Sequence, residues 1–207
     1  MVSIPNHCLN VMTVTGASSE LATFINHGLI KEDTNPENTI ITSCPDLHYL
    51  YPIPNSVNKA EDPKILSKTE WNWRTENWGT KWNTYENNGA YVLRSETSNR
   101  LLALQVEFET AWGPPLGAIQ IGSTKFPNLV FTCEYAEPGM MFKGFAVYSD
   151  GIVEIDHIEM NISDDELESE KYTKLSDEVW VDYIADLKAK INLETTMSIT
   201  YFGEDII

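Results

Sequence analysis

Three cysteines, Cys8, Cys44 and Cys133, are all that the 207 residues contain. An odd, widely spaced set argues against a disulfide framework and suits a reducing compartment, with the thiols serving as small buried hydrophobes. Basic residues are scarce as well: 14 Lys and Arg against 31 Asp and Glu leave a net charge of -17. A field of that sign repels phosphate backbones and disfavours direct binding of DNA or RNA. No apolar run approaches the roughly 18 to 20 residues of a membrane span, and Met1 to His7 lack the basic and apolar regions of a signal peptide. The expectation is a protein of the cytoplasm with no membrane partner. Also missing are a glycine-rich phosphate loop, a nucleophile elbow and a Glu-flanked histidine helix. No cofactor is expected on that basis, and no catalytic residue is assigned.

What is present is the material of a folded globule, with 42% hydrophobic and 11% aromatic residues, enough for one good core or two small ones. The acidity is uneven. Residues 150–207 hold sixteen Asp or Glu and four Lys or Arg, whereas residues 1–149 hold fifteen and ten. An acidic face of this kind attracts basic proteins, and Asp164, Asp165, Glu166 and Glu168 are the candidate partner-binding residues. The same charge also serves ordinary solubility.

Apolar periodicity supplies the elements. Residues 8–16 alternate as a strand closed by Gly16, and a helix follows with Ser18 or Ser19 as N-cap and Leu21, Phe24, Ile25 and Leu29 on one side. Residues 31–38 read as loop and 39–42 as strand. Pro45, Pro52 and Pro54 make 43–64 an irregular connection. Asn87-Asn88-Gly89 predicts a turn. Leu102, Leu104, Val106 and Phe108 then alternate with Ala103, Gln105, Glu107 and Glu109, the signature of a half-buried strand. A helix from Leu116 to about Lys125, a strand from Leu129 to Tyr135 and a hairpin turning at Asp150-Gly151 follow. Residues 163–170 read as an exposed turn or loop, residues 176–191 as an amphipathic helix capped by Ser176, and Met197 to Phe202 as a last strand.

In order, the second half reads strand, helix, strand, strand, extra strand, helix, strand, which is a split βαβ arrangement. The expected fold is α+β, a ferredoxin-like sandwich in residues 101–207, preceded by an elaborated α+β region in residues 1–100.

Trp71, Trp73, Trp78 and Trp82 crowd four of the six tryptophans into twelve residues, with no clean periodicity. Residues 64–100 carry six Lys or Arg against four Glu, so this aromatic island is basic in an acidic chain. Indole faces stack on flat ligands, and Arg74 and Lys81 are cations suited to phosphate. The candidate ligand-binding set is therefore Trp71, Trp73, Arg74, Trp78, Lys81 and Trp82. A core wall is the competing explanation, with Trp78 and Trp82 plugging the junction between the two halves; a protein-binding patch is the third.

Several segments in order resemble a known family. They are Pro5-Asn6-His7-Cys8-Leu9-Asn10, Tyr51-Pro52-Ile53-Pro54, Asn77-Trp78-Gly79-Thr80-Lys81-Trp82, Phe108 to Pro115, and Phe126-Pro127 through Tyr135 to Gly144. Together the chain resembles the Api92-like, or YubB-like, family of bacteriophage and plasmid proteins, from its start to about residue 148. The resemblance implies a ferredoxin-like C-terminal domain and a mobile-element origin, and it implies no particular biochemical activity.

Two constellations of reactive side chains compete with simple burial as readings of His7 and Cys8. His7, Cys8, Cys44 and His48 have zinc-ligand chemistry, and His7 beside Cys8 could pair base with nucleophile. Adjacent residues on a strand point to opposite faces, which opposes both. Glu107 and Glu109 share a strand face and could titrate together. The functional expectation is a non-enzymatic phage or mobile-element accessory protein that binds a host protein and counters a host defence. The alternatives are sequestration of a nucleotide-derived small molecule on the tryptophans and a cysteine-dependent enzyme.

Overall fold

The computed structural model describes residues 6–30, 44–60, 66–95, 98, 100–160 and 197–201. In chain order the elements are β1 (His7–Gly16), α1 (Ser18–His27), α2 (Leu47–Leu50), α3 (Lys68–Asn77), β2 (Tyr85–Ser95) and β3 (Leu101–Ala111). They continue as α4 (Leu116–Ser123), β4 (Leu129–Glu137), β5 (Phe142–Ser149), β6 (Ile152–Met160) and β7 (Met197–Tyr201). The strands make one sheet in the order β6-β5-β4-β1-β3-β2-β7, and every neighbouring pair is antiparallel.

The central four strands, β4-β1-β3-β2, with α1 and α4 as crossovers, make the split βαβ unit of a ferredoxin-like fold. The α+β class is as expected. A boundary at residue 100, however, does not separate two units. β1 lies between β3 and β4, so N-terminal residues supply an inner strand of the same sheet. Before residue 100, β1, α1 and β2 thus contribute to the same layer, with α2 and α3 inserted before β2.

Alternation along β1 and β3 divides the sheet into two faces. Cys8, Met12 and Val14 join Leu104, Val106 and Phe108 on the face covered by α1 and α4, in one apolar cluster with Leu21, Phe24, Ile119 and Phe131. Phe24 sets its ring edge-on to both Phe126 and Phe131, at 5.4 and 5.3 Å. His7, Leu9, Glu107 and Glu109 fall on the other face, because opposed antiparallel residues share a face and Leu9 opposes Glu109.

Three local expectations are corrected. The N-cap of α1 is Ala17, which has no side chain able to cap, in place of Ser18 or Ser19. Asn87-Asn88-Gly89 lies within β2 as a pair of register shifts, so the turn residues are absorbed as bulges. The first part of the tryptophan segment, without apolar periodicity, forms the ten-residue helix α3 with Trp71 and Trp73 on it and Trp78 at its C-cap, and the Ser67 hydroxyl caps its start by accepting from the Glu70 N–H. Residues 39–42, 163–170 and 176–191, expected as strand, loop and helix, lie outside the described residues.

Candidate functional site

Helix α3 explains why the tryptophans cluster. Glu70, Trp73, Arg74 and Asn77 are spaced on one side of it, and that inward side is largely polar. Arg74 donates to Glu70 Oε1 at 2.6 Å. The guanidinium lies 5.0 Å from the centre of the Trp78 ring. Trp78 is fully buried, and its indole N–H donates to the Tyr51 carbonyl at 2.7 Å. Trp73 and His48 meet it edge-on at 5.9 and 4.8 Å, and Tyr51 meets Trp73 at 5.1 Å. Trp78 is thus enclosed by protein on all these sides. Burial, and next the Arg74 charge, hold the His48 imidazole below its usual range.

The proposed ligand set is therefore split. Trp73, Arg74 and Trp78 form a wall that joins α3 to the core, with Arg74 already occupied by Glu70. Trp71, 42% exposed, is on the outer side of α3. Lys81 and Trp82 belong to the loop after it, where the Lys81 ammonium sits 4.7 Å from the Trp82 ring centre.

That surface half continues into residues that the sequence did not single out together. Trp82 packs edge-on against Tyr85 at 6.2 Å, and Tyr85 against His7 at 5.6 Å. The Tyr85 hydroxyl is 3.2 Å from His7 Nδ1, and His7 Nδ1 is 2.6 Å from Glu109 Oε2. Lys81, Trp82, Tyr85, His7 and Glu109 make a continuous strip with a cation at one end and a carboxylate at the other. Only register assembles it: Tyr85 on β2 opposes Glu109 on β3, and His7 on β1 opposes Ala111. Glu107 and Glu109 do share a face, yet Glu109 is engaged by His7 while burial raises the Glu107 carboxyl.

The segments that carry the family resemblance meet around this strip. Gly79 adopts φ +90°, and a Cβ there would stand 2.5 Å from the Pro114 carbonyl oxygen, so only glycine permits the approach. The Thr80 hydroxyl donates to the Ala111 carbonyl at 2.9 Å and accepts from the Ala111 N–H at 3.1 Å. The Trp112 N–H donates to the Asn6 carbonyl at 2.9 Å, and Gly139 backs onto the Asn6 amide. Trp112 holds a left-handed φ of 75° and is 39% exposed beside the strip, a conformation that costs a large side chain about 1 to 3 kcal/mol. The Tyr51 hydroxyl donates to Asn77 Oδ1 at 3.2 Å, tying in the Tyr51 to Pro54 segment.

Cys8 faces the core, not His7. It is fully buried, and burial first and the Glu137 carboxylate second push its thiol up to about 12. A thiol in that state is protonated at neutral pH and is a poor nucleophile. Burial raises Cys133 as well, and Cys44 is also buried. Neither the base–nucleophile pair nor the four-ligand zinc set forms, since His7 and Cys8 occupy opposite faces of the sheet. Among the described residues no group of three or more His, Cys, Asp or Glu is placed to hold a metal ion, and no helix is long and apolar enough to cross a membrane. The acidic candidates Asp164, Asp165, Glu166 and Glu168 lie outside the described residues.

No curated protein matches the chain. The crystal structure of a protein api92 from Yersinia pseudotuberculosis is similar to it with a TM-score of 0.54. The two are 11% identical over 77% of this chain and 100% of that one, which is a likeness of fold. Residues 77–177 match the family described as the ferredoxin-like domain in Api92-like protein, spanning the β2–β3 hairpin, α4 and the β4–β5–β6 meander set out above. Residues 77–177 therefore carry the ferredoxin-like domain of the Api92-like family.

Proposed function

We propose that the chain is a non-enzymatic accessory protein of a bacteriophage or mobile element, which binds a component of its host cytoplasm and counters a host defence. The observation that supports binding is the strip Lys81, Trp82, Tyr85, His7 and Glu109, flanked by the exposed Trp112 and Leu9. Trp and Tyr offer large, rigid contact area with a polar tip, and such residues dominate protein interfaces. Here they stand on strands and a pinned loop, so little side-chain freedom is lost on contact. The mobile-element setting rests on the resemblance alone. In the same reading the acidic stretch Asp164, Asp165, Glu166 and Glu168 adds a partner-binding surface for a basic host protein.

Sequestration of a nucleotide-derived small molecule draws its support from Lys81 and Trp82 only, because Arg74 and Trp78 are engaged elsewhere. The cysteine-dependent enzyme has least behind it, given the buried, protonated Cys8.

A photo-reactive residue in place of Tyr85, irradiated in the host, tests the proposal. One host protein should be trapped, and the adduct should vanish when Lys81→Glu and Trp82→Ala are combined. Trapping that is indifferent to that pair of substitutions, or the absence of any adduct above background, overturns it.

A further inference from the structure

Strand β6, Ile152–Met160, forms one edge of the sheet among the described residues, paired with β5 on its inner side. An edge strand presents a row of backbone donors and acceptors, and proteins commonly blunt such rows with lysine or proline. β6 contains neither. It carries Ile152, Val153, Ile158 and Met160, which are 59, 45, 53 and 58% exposed. Four exposed apolar residues in one nine-residue strand form a concentration, not the usual single scatter. The patch extends past the strand end. Met160 opposes Phe142, the residue after Met140 and Met141, which are 45 and 40% exposed. Methionine side chains are unbranched and adapt to varied partners.

The pairing of β6 with β5 is regular from Ile155 to Met160, the single register shift falling on the other side, between Val147 and Tyr148. A stretch of about six residues is therefore straight enough to template another strand. Glu154, at the register shift, and Asp156, within the regular stretch, are both exposed, in a chain of net charge -17. Antiparallel pairing of β6 with a second copy would set these carboxylates against each other, and like charges across a strand pair are destabilising. A cationic strand meets the opposite sign at the same places.

We propose that the outer edge of β6 receives an extended, basic segment of a partner protein, which joins the sheet as an added strand. Backbone hydrogen bonds supply the register, Lys or Arg of the segment face Glu154 and Asp156, and alternate apolar residues cover Ile158 and Met160. This surface is three strands from β1 and does not depend on the strip that contains His7. Failure of either site therefore leaves the other standing.

The test uses the whole protein as bait for a displayed library of random nine-residue peptides, with the enriched peptides then titrated by fluorescence anisotropy. Enriched sequences should carry Lys or Arg at every second position in one half and apolar residues at every second position in the other, and should weaken as salt rises. N-methylation of alternate amides should cost about tenfold or more in affinity, as should Asp156→Lys combined with Ile158→Lys. Met160→Lys, at the strand end, serves as a second variant should the first fold poorly. Enrichment of peptides without basic residues overturns the proposal, as does no enrichment, or equal binding by the N-methylated form. So does a dimer in sedimentation that Ile158→Lys dissociates, which would make a second copy the occupant.

Discussion

Arg74 meets Glu70 one turn earlier on α3 at 2.6 Å, with the two side chains only 11% and 7% exposed. A buried pair of this kind is costly to break from one side, because the partner left behind is an unpaired charge. Arg74→Ala should therefore destabilise the protein by about 3 to 5 kcal/mol, read from urea unfolding. Glu70→Gln with Arg74→Met should recover most of that loss. A double variant no more stable than Arg74→Ala would show that the pair is not what holds α3.

Trp78 and Trp71 separate structure from recognition within the same cluster. Trp78→Ala removes a fully buried ring and the donor to the Tyr51 carbonyl, for an expected loss of about 3 to 5 kcal/mol. Trp71→Ala, on the exposed side of α3, should stay within about 0.5 kcal/mol. Denaturant midpoints of the two variants, measured side by side, check the contrast; similar losses at both positions would contradict it.

Gly79 lies where the α3–β2 loop comes against the Pro114 carbonyl, in the segment after β3. Gly79→Ala introduces a Cβ at positive φ and against a backbone oxygen, and should cost about 1 to 3 kcal/mol. Hydrogen exchange at Ala111, whose N–H donates to the Thr80 hydroxyl, should quicken in the variant. Unchanged protection there would mean the loop is held by something else.

Thiol reactivity follows from burial. At pH 8 the native protein should resist a disulfide exchange reagent at all three cysteines, since all are buried and Cys8 is pushed up to about 12. Labelling should appear only in denaturant. Fast modification of Cys8 in the folded protein would restore the nucleophile that its surroundings argue against.

His48 makes stability depend on pH. Its folded-state pKa lies below 6.5, through burial first and Arg74 second, with Lys59 also lowering it and Asp46 and Glu70 opposing. The unfolded chain then binds more protons through that window, so stability rises with pH toward 6.5 and falls as pH drops below it. His48→Gln should flatten the difference between melting temperatures at pH 7.5 and pH 5. Parallel profiles for the two proteins would assign the pH dependence to other groups.

Alternation made β1, β3, β4 and the Asp150-Gly151 hairpin legible from the residues, because strand period and turn chemistry are properties of neighbours in the chain. Helix α3 was not legible, for a specific reason: its inward side uses Glu70, Arg74 and Asn77, and polar burial leaves no apolar period to detect. The choice between core wall and ligand site was undecided for the same reason, since nothing in the spelling of Glu70 reveals that it occupies Arg74. The strip was hidden by distance, His7 and Glu109 being 102 positions apart.

Composition and local pattern alone determined an acidic α+β chain, its core-facing strand residues and the opposed directions of His7 and Cys8. The sheet decided that β1 lies between β3 and β4, and with it that one core serves both halves. It also decided which imidazole meets which carboxylate. Strand order arises from packing between segments far apart in the chain, and the energy that selects it belongs to pairs of surfaces, not to either segment by itself.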